Sequence, residues 1–325
     1  MNPPVVLVTQ PTIADEAKKL LAAVDARVSY LHQPPVTPEE LCEIVSREGT
    51  TAIILRGSPP ITREVIEAGK HLRIISKHGA GSDSVDLEAA NERGIPVVVA
   101  AGTNADAVAE HALGMMLALA RDLTFHDRNL RNGVWDKTSY LGREFRSRVI
   151  GIVGYGAIGR RVATLCQAFG CKVVAHSRTR PADLGDVEWE DDLDQLFRRA
   201  DILSLHCPLS DKTRGMVNAR SLALMKPDAI LINTGRGKLV DEAALHTALT
   251  TGKLKAAGLE TWAQEPVDPK NPLLQLPNVM SSPHIAPNTR ETLVRLGIVS
   301  VTQALDYLRD GTLIEANMVN RPVRK

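Results

Sequence analysis

The chain has 325 residues, which at about 150 residues per domain suggests two domains and enough length for full hydrophobic cores. With 44% hydrophobic and 24% charged residues it resembles an ordinary folded protein, and disorder is excluded. A formal net charge of +1 and only 3% aromatics argue against coating a membrane, wrapping nucleic acid or stacking bases.

Val5-Val6-Leu7-Val8 reads as a buried strand, Ala14 to Val24 as a helix and Val28 to Leu31 as a strand. Thr37-Pro38-Glu39-Glu40 has the pattern of a capping box with proline at N1, so a helix should run to Arg47 and stop at Gly49. Strands are expected at Thr51 to Leu55, Arg73 to Ser76 and Pro96 to Ala100, separated by helices at Arg63 to Ala68 and Asp86 to Arg93. Short β-branched runs alternating with helices imply parallel βαβ units. A helix rich in Ala, Leu and Met follows from Ala105 to Arg121, then a polar one from Leu123 to Asn132. A second series has strands at Val149 to Val153, Lys172 to Ala175, Ile202 to Leu205, Ala229 to Ile232, Ala256 to Leu259 and Val279 to Ser281. The last helix should span Glu291 to Arg309.

Cys42, Cys166, Cys171 and Cys207 form no CxxC pair and sit beside no His-rich spacing. They read as reduced thiols of a cytoplasmic protein, and no metal site is expected. The opening MNPPVVLVTQ lacks a basic stretch followed by an apolar one, so no signal peptide is expected. The longest apolar stretch, HALGMMLALA, is too short to span a bilayer.

The strand ending at Val153 runs into Gly154-Tyr155-Gly156-Ala157-Ile158-Gly159, and an apolar helical pattern follows. Strand, GxGxxG and helix together are the setting in which a dinucleotide pyrophosphate meets a helix N-terminus. Gly154 allows the tight turn, Gly156 close approach of phosphate, and Gly159 packing of helix on strand. At the end of the next strand, where NAD enzymes place a carboxylate for the ribose 2′-hydroxyl, the chain reads Ser177-Arg178-Thr179-Arg180. A guanidinium matches a 2′-phosphate and an acid repels it, so NADP(H) is the expected cofactor, with NAD(H) as the lesser one.

Arg236, Glu265 and His284 each follow a strand of the second series and should stand at the carboxyl rim of its sheet, where α/β proteins bind ligands. Singly, each has an ordinary reading: a surface ion-pair partner, a solvated loop acid, a turn histidine. Together they suit reduction of a 2-oxo acid. An arginine holds the carboxylate and polarises the carbonyl, a histidine delivers the proton, and a carboxylate orients that histidine.

With HGAGSDSVD (His78–Asp86), AEHALGMMLALAR (Ala109–Arg121), GYGAIG, HCPLSDKT (His206–Thr213), INTGRGKLVDEAAL (Ile232–Leu245), TWAQEP and SSPHIAPNT, the chain resembles the D-isomer-specific 2-hydroxyacid dehydrogenases over nearly its whole length. The resemblance implies two doubly wound α/β domains. A flavodoxin-like substrate domain (1–100 and 286–325) would hold an inserted Rossmann cofactor domain (101–285), with a gap that closes before hydride moves. It implies Arg236, Glu265 and His284 as the catalytic triad, and amides of Ala80 and Gly81 gripping the substrate carboxylate. Cys207, Thr234 and Glu260 would lie along the cofactor, with Pro208, Thr213 and Gly235 beside them. The Ala105–Arg121 helix resembles the family's dimer element, so a homodimer is expected, although core packing is the ordinary reading of such a stripe. The family usually has Asp at position 260, and Arg-Ala where this chain has Lys77-His78. Lys77 and Arg56 could meet a second anionic group on the substrate. Expected activity is NADP(H)-dependent reduction of a small acid such as glyoxylate or hydroxypyruvate. The alternatives are D-3-phosphoglycerate dehydrogenase, phosphite oxidation, and a non-enzymatic, corepressor-like dinucleotide sensor. Formate dehydrogenases fit less well, since they carry Gln where Glu265 stands.

Overall fold

In the computed structural model, residues 3–32 and 36–323 are described. The elements run β1 (Val5–Val8), α1 (Asp15–Ala22), β2 (Arg27–Tyr30), α2 (Pro38–Glu48), β3 (Ala52–Leu55), α3 (Arg63–Ala68), β4 (Ile74–Lys77), α4 (Leu87–Glu92), β5 (Val97–Val99), α5 (Ala105–Ala120) and α6 (Leu123–Arg131). They continue with β6 (Val149–Val153), α7 (Ala157–Ala168), β7 (Lys172–His176), β8 (Glu188–Trp189), α8 (Leu193–Arg199), β9 (Ile202–Leu205), α9 (Ala219–Leu224), β10 (Ile230–Asn233), α10 (Glu242–Thr250), β11 (Ala256–Leu259), β12 (Val279–Ser281) and α11 (Arg290–Asp310). Two compact units result. One runs through Asn104 and resumes at Asn288; the other is Ala105–Pro287.

The first unit is built on a parallel sheet in the order β2-β1-β3-β4-β5. Strands such as Ala52–Leu55 are buried at every residue, as expected where helices cover both faces. The capping box forms as the sequence predicts: Thr37 Oγ1 accepts from the Glu40 amide at 3.2 Å, and the Thr37 amide donates to Glu40 Oε2 at 2.8 Å. Gly49, at φ 67°, ends that helix in the left-handed region. The helix expected over Ala14 to Val24 is shorter. Ala14 offers no capping side chain, and Asp25 turns the chain at φ 51°. Helix α11 returns to this unit and packs on α1, β3 and β4.

The second unit carries a parallel sheet in the order β12-β11-β10-β9-β6-β7-β8. The order reverses between β6 and β9, so the loops after those strands flank the switch point where dinucleotides bind in such sheets. The Ala/Met-rich face of α5 is buried in this unit's own core: Ala109, Ala112, Met115, Met116 and Leu119 lie with Ile150, Ile152, Ile230 and Ile232. Among the described residues no helix is long and apolar enough to cross a membrane.

Candidate active site

Two of the three glycines of the loop after β6 have a steric reason within the fold. Gly154 sits at φ +97°, and a Cβ there would come 2.5 Å from the Cys207 amide nitrogen. A Cβ at Gly159 would lie 2.1 Å from the Gly154 carbonyl oxygen, so α7 can pack this close only with glycine. At Gly156, by contrast, a Cβ would meet nothing within 4 Å, and this N-cap residue brings no capping side chain to α7. The loop is therefore shaped like a cradle whose open side lies at a helix N-terminus, and the residues present fit a pyrophosphate. Ala157 and Ile158 form the first turn of α7. Ser177 is half-buried beyond β7, while Arg178, Thr179 and Arg180 are exposed. Cys207 and Pro208 follow β9, and Thr213 Oγ1 donates to the Pro208 carbonyl at 2.8 Å. Burial pushes the Cys207 thiol up to about 11, which makes it an inert neighbour rather than a nucleophile.

His284 and Glu265 meet directly, Nδ1 to Oε2 at 2.7 Å, with each side chain about 40% exposed. His284 holds a left-handed backbone at φ 56°, a conformation costly for a non-glycine residue and frequent at functional sites. The other carboxylate oxygen of Glu265 accepts from the Trp262 amide at 3.0 Å. Burial pushes the Glu265 carboxyl up, but the bonds from His284 and Trp262 and the nearby charge of Arg236 outweigh it and hold the group below the usual carboxylate range. Arg236 follows β10 in a turn clamped by the buried Asn233. The Gly235 amide donates to Asn233 Oδ1 at 3.1 Å, and Asn233 Nδ2 donates to the Arg236 carbonyl at 3.0 Å. A Cβ on Gly237 would fall 1.9 Å from the Trp262 carbonyl carbon. That glycine is what lets the arginine turn lie against the loop carrying Glu265. Gly237→Ala should destabilise the protein by about 1–3 kcal/mol, read as a lower urea midpoint; an unchanged midpoint would mean the two loops part freely.

All three groups lie in the Ala105–Pro287 unit. The family model for the D-isomer-specific 2-hydroxyacid dehydrogenase, NAD binding domain, matches residues 113–286. A hydroxypyruvate reductase of Thermotoga maritima is 37% identical over 303 residues, covering 93% of this chain and 97% of that protein. The chain belongs to the D-isomer-specific 2-hydroxyacid dehydrogenase family. A D-3-phosphoglycerate dehydrogenase of Methanocaldococcus jannaschii is 38% identical over 321 residues; the match takes in 98% of this chain and 59% of that relative's length. A solved glyoxylate reductase from Paecilomyes thermophila superposes with a TM-score of 0.86 at 28% identity, covering 98% of this chain and 99% of that one.

In this family member several polar residues take places that sequence patterns alone do not disclose. His206 bridges β9 and β10, with Nε2 at 2.8 Å from Ser204 Oγ and Nδ1 at 3.1 Å from Thr234 Oγ1. Burial pushes its imidazole down to about 3, so it stays neutral and fixes Thr234. Glu260, at the end of β11, is only 1% exposed, and its carboxylate turns inward onto the Ala286 amide and toward His111 of α5. On the first unit, the amides of Ala80 and Gly81 have no hydrogen-bond acceptor among the described residues. Lys77 Nζ donates to Ser84 Oγ at 2.7 Å. Arg56, half-buried after β3, has its guanidinium pKa lowered by that burial, and no carboxylate pairs with it among the described residues. Burial, and then the charge of Arg56, push His78 down to about 4.

Proposed function

We propose that this protein is an NADP(H)-dependent reductase of small 2-oxo acids of the glyoxylate and hydroxypyruvate type, giving D-2-hydroxy acids. The observation that carries the reading is the 2.7 Å His284–Glu265 pair flanked by Arg236 at the carboxyl end of the second sheet. Bound in the glycine cradle, the nicotinamide dinucleotide supplies the hydride. Arg236 holds the acid's carboxylate in a charge-assisted, forked bond and draws electron density from the neighbouring carbonyl. With Nδ1 committed to Glu265, His284 presents Nε2 and gives its proton to the carbonyl oxygen as that oxygen becomes an alkoxide. Glu265 keeps the ring in one orientation through its bond to Nδ1. Pro208, Thr213 and Gly235 take their places beside the cofactor together with Cys207 and Thr234.

The NADP(H) preference is supported by Arg178 and Arg180, which stand exposed beyond β7 where no acid would repel a 2′-phosphate. The experiment is oxidation of NADPH and NADH against a panel of 2-oxo acids. NADPH should give the higher kcat/KM, and Arg178→Ala should reduce kcat/KM for NADPH by about 10-fold or more while leaving NADH nearly unchanged. Equal losses for both cofactors would remove Arg178 from recognition of the 2′-phosphate. No turnover of any acid, with tight dinucleotide binding, would favour a sensor.

Arg56 supports a second reading, D-3-phosphoglycerate dehydrogenase, since it and Lys77 are suited to a phosphate or a second carboxylate on the substrate. Adding 3-phosphohydroxypyruvate to the panel separates the two. A homodimer in the cytoplasm completes the proposal. Large exposed apolar side chains on the chain after α5, including Leu130, Trp135 and Leu141, support self-association, and four free cysteines suit a reducing compartment.

A further inference from the structure

Glu260 is a buried carboxylate that the proposed proton transfer does not use, in a position where the family usually has Asp. Its backbone carbonyl accepts from the His284 amide at 3.0 Å, and its Oε1 accepts a short bond from the Ala286 amide. The Ser282 amide is held one residue earlier, by the Leu259 carbonyl at 2.9 Å. The segment carrying His284 is thus tied to the end of β11 at three alternate residues, one of the ties being the Glu260 side chain.

The other oxygen faces α5. Met115 and Leu119 lie against β11 at Gly258, where a Cβ would come 3.2 Å from Met115 Sδ and 3.3 Å from Leu119 Cδ1. His111 is one turn before Met115, on the same helix face. Glu260 is two residues after Gly258, on the same side of the strand. The two therefore converge, with His111 Nε2 at 3.3 Å from Glu260 Oε2, although the ring N–H does not point straight at the oxygen. Burial works against ionising Glu260. The Ala286 amide's bond and the proximity of His111 and Ser282 outweigh it and hold the carboxyl below the usual carboxylate range.

We propose that Glu260, braced by His111, is a positioning residue that holds the His284 loop in its left-handed turn, rather than a residue that reads the nicotinamide. The claim rests on His284 being the proton donor. An Asp at this position would withdraw the carboxylate by about 1.5 Å, one bond length, and the Ala286 amide would lose its acceptor. Glutamate at this position is thus the residue that reaches the loop.

The test compares Glu260→Asp, Glu260→Gln and His111→Gln. Each is read for kcat and KM in NADPH-driven reduction, for the NADPH Kd by fluorescence, and for the imidazole ¹⁵N shifts of His284 in the protein without cofactor, assigned with His284→Ala. All three variants should lower kcat by about 10- to 100-fold, the usual penalty for a slightly misplaced catalytic group. The NADPH Kd should stay within about 3-fold, too small a change for a lost direct contact. His284 should pass from one tautomer, set by Glu265, to a mixture. Combining Glu260→Gln with His111→Gln should add little to Glu260→Gln alone, because the two act as one unit. Wild-type kcat and a single His284 tautomer in Glu260→Asp would overturn the proposal. So would a loss that appears as weaker NADPH binding, which would assign Glu260 to the cofactor. If the unmodified protein reduces no acid, the functional reading fails on that ground, while the imidazole spectra still decide whether Glu260 holds the loop.

Discussion

His284→Ala is expected to lower kcat for 2-oxo acid reduction by about 10²–10⁴, while NADPH binds as before. The imidazole is the proton donor in the proposed reaction, and its Nδ1 is already committed to Glu265 at 2.7 Å. Nothing else in the triad can replace it. Arg236 does not give up a proton in a protein, and Glu265 lies below the usual carboxylate range, so it is ionised and can only accept. Because residue 284 is left-handed at φ 56°, His284→Asn is the better-tolerated companion, as asparagine accepts that backbone more readily than alanine. Equal losses in both variants would show that the missing proton, rather than a collapsed turn, is responsible. Wild-type kcat in either variant would take His284 out of the mechanism.

Arg236→Gln is expected to raise KM and lower kcat together, with kcat/KM falling by about 10²–10³. The guanidinium is asked to do two things. It binds the carboxylate in the ground state, and it stabilises the charge that grows on the carbonyl oxygen. Arg236→Lys should restore only part of the activity, since a point charge lacks the planar fork. The turn is held by Asn233 on both sides and by the close approach of Gly237 to Trp262 as well as by the guanidinium's own bond to the Gly235 carbonyl at 2.8 Å, so an unchanged urea midpoint in Arg236→Gln would show that the loss is chemical rather than structural. A rise in KM with unchanged kcat would confine Arg236 to binding.

The parallel architecture and the glycine cradle were legible because their physics is local. Buried β-branched runs mark β3 and β6, Thr37 and Glu40 three residues apart mark a helix start, and three glycines where a strand turns into a helix mark the loop. Strand β8 escapes such a reading, for Glu188–Trp189 has no apolar run and is set by pairing with Val174 and Ala175. The triad residues were legible as types at strand ends, yet only the folded sheet brings His284 to Glu265. The Glu260 carboxylate lies beside His111, about 150 positions away in a mainly apolar helix, and no periodicity reports that kind of contact. The Ala/Met stripe of α5 is a further instance: one pattern serves a core or an interface equally, and here it fills a core.

The return of α11 to the first unit has a consequence for how the polypeptide matures on the ribosome. Ser76 Oγ donates to the Ser300 carbonyl at 2.8 Å, and the Val97 amide donates to Asn320 Oδ1 at the same distance, across 224 and 223 positions. One face of the β1–β5 sheet, with Val6, Val8, Ile54 and Ile74, is closed by Val301 and Ala304 of α11. The intervening Ala105–Pro287 unit has emerged whole before that helix is made. Strands β1–β5 must therefore wait, with an apolar face uncovered, until α11 has been made. Nascent-chain aggregation and chaperone demand should concentrate there rather than in the contiguous unit.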